Sequence, residues 1–154
     1  VGGHCISVDP WFVVAKDKKN ARLIKRAREV NNYKTDWVID KIKSVADDFS
    51  TKSGLKPKIA CLGLAFKPDI DDLRESPALF ITQSLIAQGY DVAAVEPNIL
   101  DHPEINLISM EELKKQEYIV VILVKHREFV EVDLKSFKTN LAFLDFCGPS
   151  LNNK

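Results

Sequence analysis

A chain of 154 residues, 45% hydrophobic and 29% charged, is ordinary globular material with enough length for one core and an appendage. Its 22 basic residues balance 22 acidic ones, so no overall field draws it to nucleic acid or to an anionic membrane, and no apolar run approaches the roughly 20 residues that cross a bilayer. Three scattered cysteines, at positions 5, 61 and 147, argue against a disulfide framework or a zinc site and fit a reducing, cytoplasmic setting.

The chain opens Val1-Gly2-Gly3-His4-Cys5-Ile6-Ser7-Val8-Asp9-Pro10, with no initiator Met and no signal peptide, and reads as the back part of a longer protein. Two glycines let the backbone turn tightly and come close to a ligand, because no Cβ intervenes. A cysteine beside a general base is the minimum equipment for covalent catalysis, although a lone Cys after Gly-Gly is more often an unreactive buried thiol.

Asp9 as N-cap and Pro10 at the first helical position predict a short helix over 11–15. Asn20 then caps a longer helix from Ala21 towards Phe49, in which Leu23, Ala27, Val30, Val38, Ile42, Val45 and Phe49 recur at the helical period. At ~1.5 Å per residue it is about 40 Å long, more than the fold it leads into would cover. It is therefore expected to pack on a partner or on other sequence. Residues 50–57, with Gly54 and Pro57, read as a linker.

Beyond the linker the pattern changes. Residues 59–64 form a continuous apolar run, the mark of a strand buried on both faces. Ser76-Pro77 opens an amphipathic helix through Gln88, and Gly89 stops it. Residues 92–95 form the next strand. Ser109 and Glu112 make a capping box for a helix over 110–116. Strands follow at 118–124 and 142–146. Alternating strands and helices imply right-handed crossovers and a mostly parallel sheet. The fold class is α/β: a helical arm, residues 1–50, followed by a Rossmann-like domain, residues 51–154.

Ligands of open parallel sheets bind beyond the carboxyl ends of the strands. Here those ends are residues 65–75, 96–98, 125–126 and 145 onward. A Gly-x-Gly-x-x-Gly loop is absent, since only Gly63 precedes the first of them, so this is not a standard dinucleotide site. The long first loop instead carries Lys67 and Arg74, cations suited to phosphates. It also carries Phe66, which could lie against a sugar or base, and it leads to a helix N-terminus at Ser76. On the residues alone, pairing of Lys67 and Arg74 with Asp69, Asp71, Asp72 and Glu75 on a solvated loop is the favoured reading.

Taken together, Gly2-Gly3-His4-Cys5-x-x-x-Asp9-Pro10 and Gly63-Leu64-Ala65-Phe66-Lys67-Pro68-(x)5-Leu73-Arg74-Glu75-Ser76-Pro77 resemble the UDP-glucose/GDP-mannose 6-dehydrogenase family. The resemblance spans nearly the whole chain. It implies the end of a central helical, dimer-forming domain plus a C-terminal UDP-binding domain, with an NAD-binding domain upstream. It also implies oxidation of a sugar C6 alcohol to a carboxylate with two NAD+, through a cysteine thiohemiacetal and thioester.

Carried over residue by residue, the resemblance makes Cys5 the nucleophile and Asp9 the acid/base or water-positioning carboxylate. Gly2 and Gly3 let the sugar approach, Phe66 and Lys67 contact the UDP-sugar, and Arg74 reaches the NAD. No metal is implied. Relatives that act on UDP-glucose carry Ser where this chain has His4 and Lys where it has Val8. Those departures point to a UDP-N-acetylhexosamine substrate, and the resemblance further implies a homodimer through helix 21–49. The isolated piece is expected to be inactive, and the contrasting reading is a UDP-binding or dimerisation module without catalysis. Cys147 stands where relatives often have a basic residue after the last strand, and Asn31 matches a family Asn on the long helix. Cys61, Trp11 and Trp37 read as packing, His102 as loop, and His126 equally as a ligand contact or a turn residue.

Overall fold

In the computed structural model, which describes residues 1–134, 137 and 140–148, five short strands form a sheet. They are β1 (Lys58–Leu62), β2 (Asp91–Val95), β3 (Asn106–Leu107), β4 (Tyr118–Ile122) and β5 (Asn140–Asp145). Their order is β3-β2-β1-β4-β5 and every pairing is parallel. Alternate side chains of each strand enter two different cores. Ile59 and Cys61 of β1 face a core shared with Ile119 and Val121 of β4, while Ala60 and Leu62 face another with Val120 and Ile122. Helices cover both faces, which is why the strands read as unbroken apolar runs.

The helices are α1 (Asp9–Lys16), α2 (Arg22–Ser53), α3 (Pro77–Ala87), α4 (Met110–Leu113) and α5 (Arg127–Val130). Helices α2 and α3 pack on the first face through Val38, Ile39, Ile42, Ala46, Ile81 and Leu85. Leu113 and Phe129 fill the second. The C-terminal half of α2 is therefore part of the domain core, where the sequence reading expected the long helix to pack on a partner or on other sequence. Ile42 and Ala46 are fully buried, and burying a side chain such as Ile42 contributes about 2 kcal/mol. Only the first half, with Leu23, Val30 and Tyr33 exposed, stands clear of the sheet.

Element ends differ from expectation for local reasons. Asp9 lies inside α1 and Val8 is the N-cap, without a side-chain bond. Asn20 does not cap α2; its amide and side chain bond back to the Asp17 carboxylate at 3.0 and 2.8 Å, which closes the turn between the helices. Helix α2 continues into the first part of the expected linker, where Ser50, Thr51 and Ser53 return their hydroxyls to carbonyls four residues earlier. It stops only at Gly54, in the left-handed region at φ 72. Ser76 caps α3 and the Ser109/Glu112 capping box starts α4, both as expected.

From β1 the chain crosses to β2 and β3 on one side, then returns to the other side of β1 as β4. The direction of winding reverses between β1 and β4. That switch leaves a crevice at their carboxyl ends.

Candidate functional site

The crevice is framed by residues that leave the ends of β1, β2 and β4. At its centre the carboxylate of Glu96 is fully buried and accepts hydrogen bonds from the amides of Leu64 at 2.7 Å and Ala65 at 3.1 Å. His126, also fully buried, sets its Nε2 3.0 Å from the same carboxylate oxygen. The Asn98 amide donates to the other oxygen at 3.1 Å. Burial alone would push the Glu96 carboxyl up, but the bonds from His126, Leu64 and Asn98 outweigh it and hold the carboxyl down to about 2. A negative charge thus occupies the amide donors that a dinucleotide pyrophosphate would take at the first strand end. The β1 end does not fit NAD, as the missing glycines predicted.

The first loop turns outward from this clamp. The Phe66 amide donates to the Asp72 carbonyl at 3.1 Å, and the Ser76 hydroxyl donates to the Leu64 carbonyl at 2.6 Å, so the loop is closed at both ends. Arg74 forks onto Asp72, with Nη2 2.6 Å from one oxygen and Nε 3.0 Å from the other. Those bonds, outweighing slight desolvation, hold Asp72 down to about 2. Arg74 is raised in turn by Asp72 and, in smaller measure, by nearby Cys5. Half of the solvated-loop pairing weighed from the sequence is therefore present. Lys67 behaves differently: it is exposed, lies 5.5 Å from the Phe66 ring, and makes no ion pair among the described residues.

The amino-terminal stretch docks on this loop. The Gly3 amide donates to the Glu75 carbonyl at 3.3 Å, and the Phe66 ring covers Gly3. A Cβ on Gly2 would strike the Glu75 carbonyl and stand 2.5 Å from Pro77 Cδ. Gly2, Gly3, Phe66, Arg74 and Cys5 are thereby brought to one rim. Cys5 is exposed, and its carbonyl accepts from the amides of Val8 and Asp9 in a tight turn leading into α1. Asp9 is exposed at the start of that helix. Asn31, on α2, reaches the start of the chain. It ties down Val1, whose nitrogen is 2.7 Å from its Oδ1 and whose carbonyl accepts from its Nδ2 at 3.0 Å.

A cavity of about 210 Å³ lies where these parts meet, lined among others by Gly2, Asn31, Lys34, Phe66, Val124 and Phe146. At the β5 end, Cys147 donates its amide to Asp145, and Lys125 is committed to Asp145 at 3.0 Å and to the Gly148 carbonyl. What sequence reasoning missed is the pairing made by Glu96, Asn98 and Asp69, which it read only as strand-end positions or as ion-pair partners on the loop. Each is a polar residue near the carboxyl end of a strand, the one signal that could have singled them out. His102 stays in its loop and Trp37 packs edge-on against Phe146.

A parallel α/β sheet with a crevice at its switch point, but with its first amides filled by a carboxylate, defines a Rossmann-like binding domain of a non-dinucleotide kind. The model of the UDP-glucose/GDP-mannose dehydrogenase family, UDP binding domain, matches residues 60–145. The chain belongs to that family. It is 49% identical over 140 residues to UDP-N-acetyl-D-mannosamine dehydrogenase of Campylobacter jejuni, a match covering 86% of this chain and 33% of that protein. To the Escherichia coli K12 protein of the same name it is 48% identical over 139 residues, covering 84% and 33%. Among solved structures, the UDP-D-ManNAc dehydrogenase of Pyrococcus horikoshii superposes with a TM-score of 0.77 at 28% identity, covering 99% of this chain and 37% of that one. The UDP-N-acetyl-mannosamine dehydrogenase of S. aureus gives 0.74 at 34% identity, covering 94% and 34%. The chain spans about a third of the length of these relatives. Among the described residues no helix is long and apolar enough to cross a membrane, and no cluster of His, Cys, Asp and Glu could hold a metal.

Proposed function

We propose that this chain is the substrate-binding, nucleophile-bearing part of an NAD-dependent UDP-N-acetyl-D-mannosamine 6-dehydrogenase acting in the cytoplasm. Residues 51–154 are its UDP-binding domain, and residues 1–50 are the end of a central helical domain that pairs two copies through the outer half of α2. The observation that carries the reading is the seating of Gly2-Gly3 on Phe66 and Glu75, which puts Cys5 on the rim that holds Lys67 and Arg74.

In this reading the UDP-sugar lies along the crevice. Phe66 meets sugar or base, and Lys67, free of carboxylates, meets a phosphate. Gly2 and Gly3 keep the backbone thin where the sugar passes. Arg74, anchored on one side by Asp72, presents its exposed side to NAD held by another part of the protein. NAD, when bound there, supplies the hydride acceptor for both oxidations. Once the C6 alcohol is an aldehyde, the Cys5 thiolate adds to its carbonyl carbon and gives a thiohemiacetal. Loss of hydride from that carbon and of the hydroxyl proton leaves a thioester on Cys5. Water then attacks with Asp9 taking its proton, releasing the carboxylate and the Cys5 thiol.

His4 and Val8, in place of the Ser and Lys of relatives that act on UDP-glucose, support an N-acetylated hexosamine. The names of the relatives support the manno epimer. Titrating UDP into the chain should perturb Phe66 and Lys67 amide resonances, while NADH forms from neither sugar without the NAD-holding part. In the full-length parent, UDP-N-acetylmannosamine should yield two NADH and the carboxylate, and Cys5→Ser should stop the reaction before the second NADH and the carboxylate. NADH from UDP-N-acetylglucosamine alone would replace the substrate assignment, and UDP binding that leaves Phe66 and Lys67 unperturbed would remove the site.

A further inference from the structure

Three strand ends converge on His126, a residue for which the reaction above has no use. Its imidazole is fully buried, and its Nε2 lies 3.0 Å from the Glu96 carboxylate, an acceptor, so Nε2 carries the proton. Nδ1 is left as an acceptor, and two donors meet it: the Asp69 amide at 2.9 Å and the Asn98 side-chain amide at 3.1 Å. The Phe129 ring packs edge-on against the imidazole at 5.4 Å. Asp69 stands two residues beyond Lys67 at φ 60, a conformation costly for a residue with a Cβ. A second bond, from the Arg127 amide to the Asp69 carboxylate at 2.9 Å, helps to hold it there.

We propose that His126 is a positioning residue for the substrate loop. Locked to Glu96, its neutral imidazole fixes Asp69 in the left-handed conformation, and Asp69 sets the direction in which Phe66 and Lys67 project. The inference rests on the reading that Phe66 and Lys67 meet the UDP-sugar. The geometry favours a lever over a mere core contact. Glu96 alone already pins Leu64 and Ala65 to the sheet, whereas the bond from the Asp69 amide to His126 falls in the outer part of the loop, between the Phe66 and Asp72 ends.

Two amide substitutions separate the two ring nitrogens. Glutamine places a donor near the position of Nε2, and asparagine an acceptor near that of Nδ1. With NMR amide exchange and UDP titration on the 154-residue chain, His126→Gln should leave Leu64 and Ala65 protected. It should speed exchange at Asp69 and weaken UDP about tenfold, the worth of one hydrogen bond to positioning. His126→Asn should restore protection at Asp69 and recover most of the UDP affinity. Asp69→Ala, at an exposed position, keeps the amide that His126 accepts and removes only the carboxylate held by Arg127; if the histidine variants do not fold, the Asp69 amide should stay protected and UDP affinity stay close to wild type in this variant, and loss of that protection would overturn the inference. Loss of Asp69 protection with unchanged UDP affinity, or weakened UDP with Asp69 still protected, would overturn the inference. A wild-type chain that does not bind UDP would instead overturn the functional reading, and the exchange data would still report whether His126 holds the loop.

Discussion

The Phe66 ring closes over Gly3 so tightly that a Cβ at Gly3 would stand 2.9 Å from the ring, with the backbone there already at φ 93. This pair joins the two sequence motifs physically. Alanine at position 3 adds left-handed strain to a clash with the ring. Alanine at position 2 suffers only the clash with Glu75 and Pro77. Each should cost about 1–3 kcal/mol, read as a lower urea midpoint. In the full-length parent each should lower kcat as the Cys5 turn is pushed from the rim. An alanine variant with wild-type stability would mean that the amino-terminal stretch does not dock on the loop.

Glu96 makes the clamp sensitive to acid. Its carboxyl is held near 2 in the fold against an ordinary value of 4.5. Its stabilisation is therefore complete above the ordinary value and is lost as pH falls from there towards 2, on the order of 3 kcal/mol in all. Glu96→Gln should be less stable than wild type by about 2 kcal/mol at pH 7, and urea unfolding should show the gap closing between pH 5 and pH 2.5. A gap that stays constant across that range would mean Glu96 is not the charged acceptor at the strand ends.

The sheet was legible because strands covered on both faces announce themselves as apolar runs, as at Ile59–Leu62 and Tyr118–Ile122. The two-residue β3 carries no such signal, and α5 is only four residues long. Asn20 was misread as a cap because its amide and side chain meet the Asp17 carboxylate three residues back, and the expected linker was placed early because the helix runs on to Ser53 before Gly54 stops it. The candidate rim was legible through Gly2-Gly3 and Phe66-Lys67, whose residue types are unusual. Glu96 and His126 were placed at strand ends, but their mutual bond was not legible, because it joins residues 30 apart on two strands, which no local pattern encodes.

The three cysteines should separate by alkylation. Burial pushes the Cys61 thiol up to about 12, the bond with Thr82 offsetting little of it. Burial, with Asp145 adding to it, raises Cys147 to about 11. Cys5 is exposed. Iodoacetamide at pH 8 should label Cys5 first, Cys147 at least about tenfold more slowly, and Cys61 only in denaturant, since thiolate fraction and access set the rate. Mass spectrometry of timed quenches reads this directly, and native-state labelling of Cys61 ahead of Cys5 would contradict the burial of β1.

Helix α2 should divide functionally near its middle. Ile42 is fully buried between the sheet and α3, so Ile42→Ala should cost about 2–5 kcal/mol in urea unfolding. Leu23 and Tyr33 are 82% and 66% exposed on the outer half, and Leu23→Ser or Tyr33→Ser should change the stability of a single copy by less than about 0.5 kcal/mol. If that half pairs two copies, the same changes should shift sedimentation of the chain towards monomer while leaving UDP binding intact. A wild-type chain that sediments as a monomer at every concentration would remove the pairing, and a large loss of stability from Leu23→Ser would place that half in the core after all.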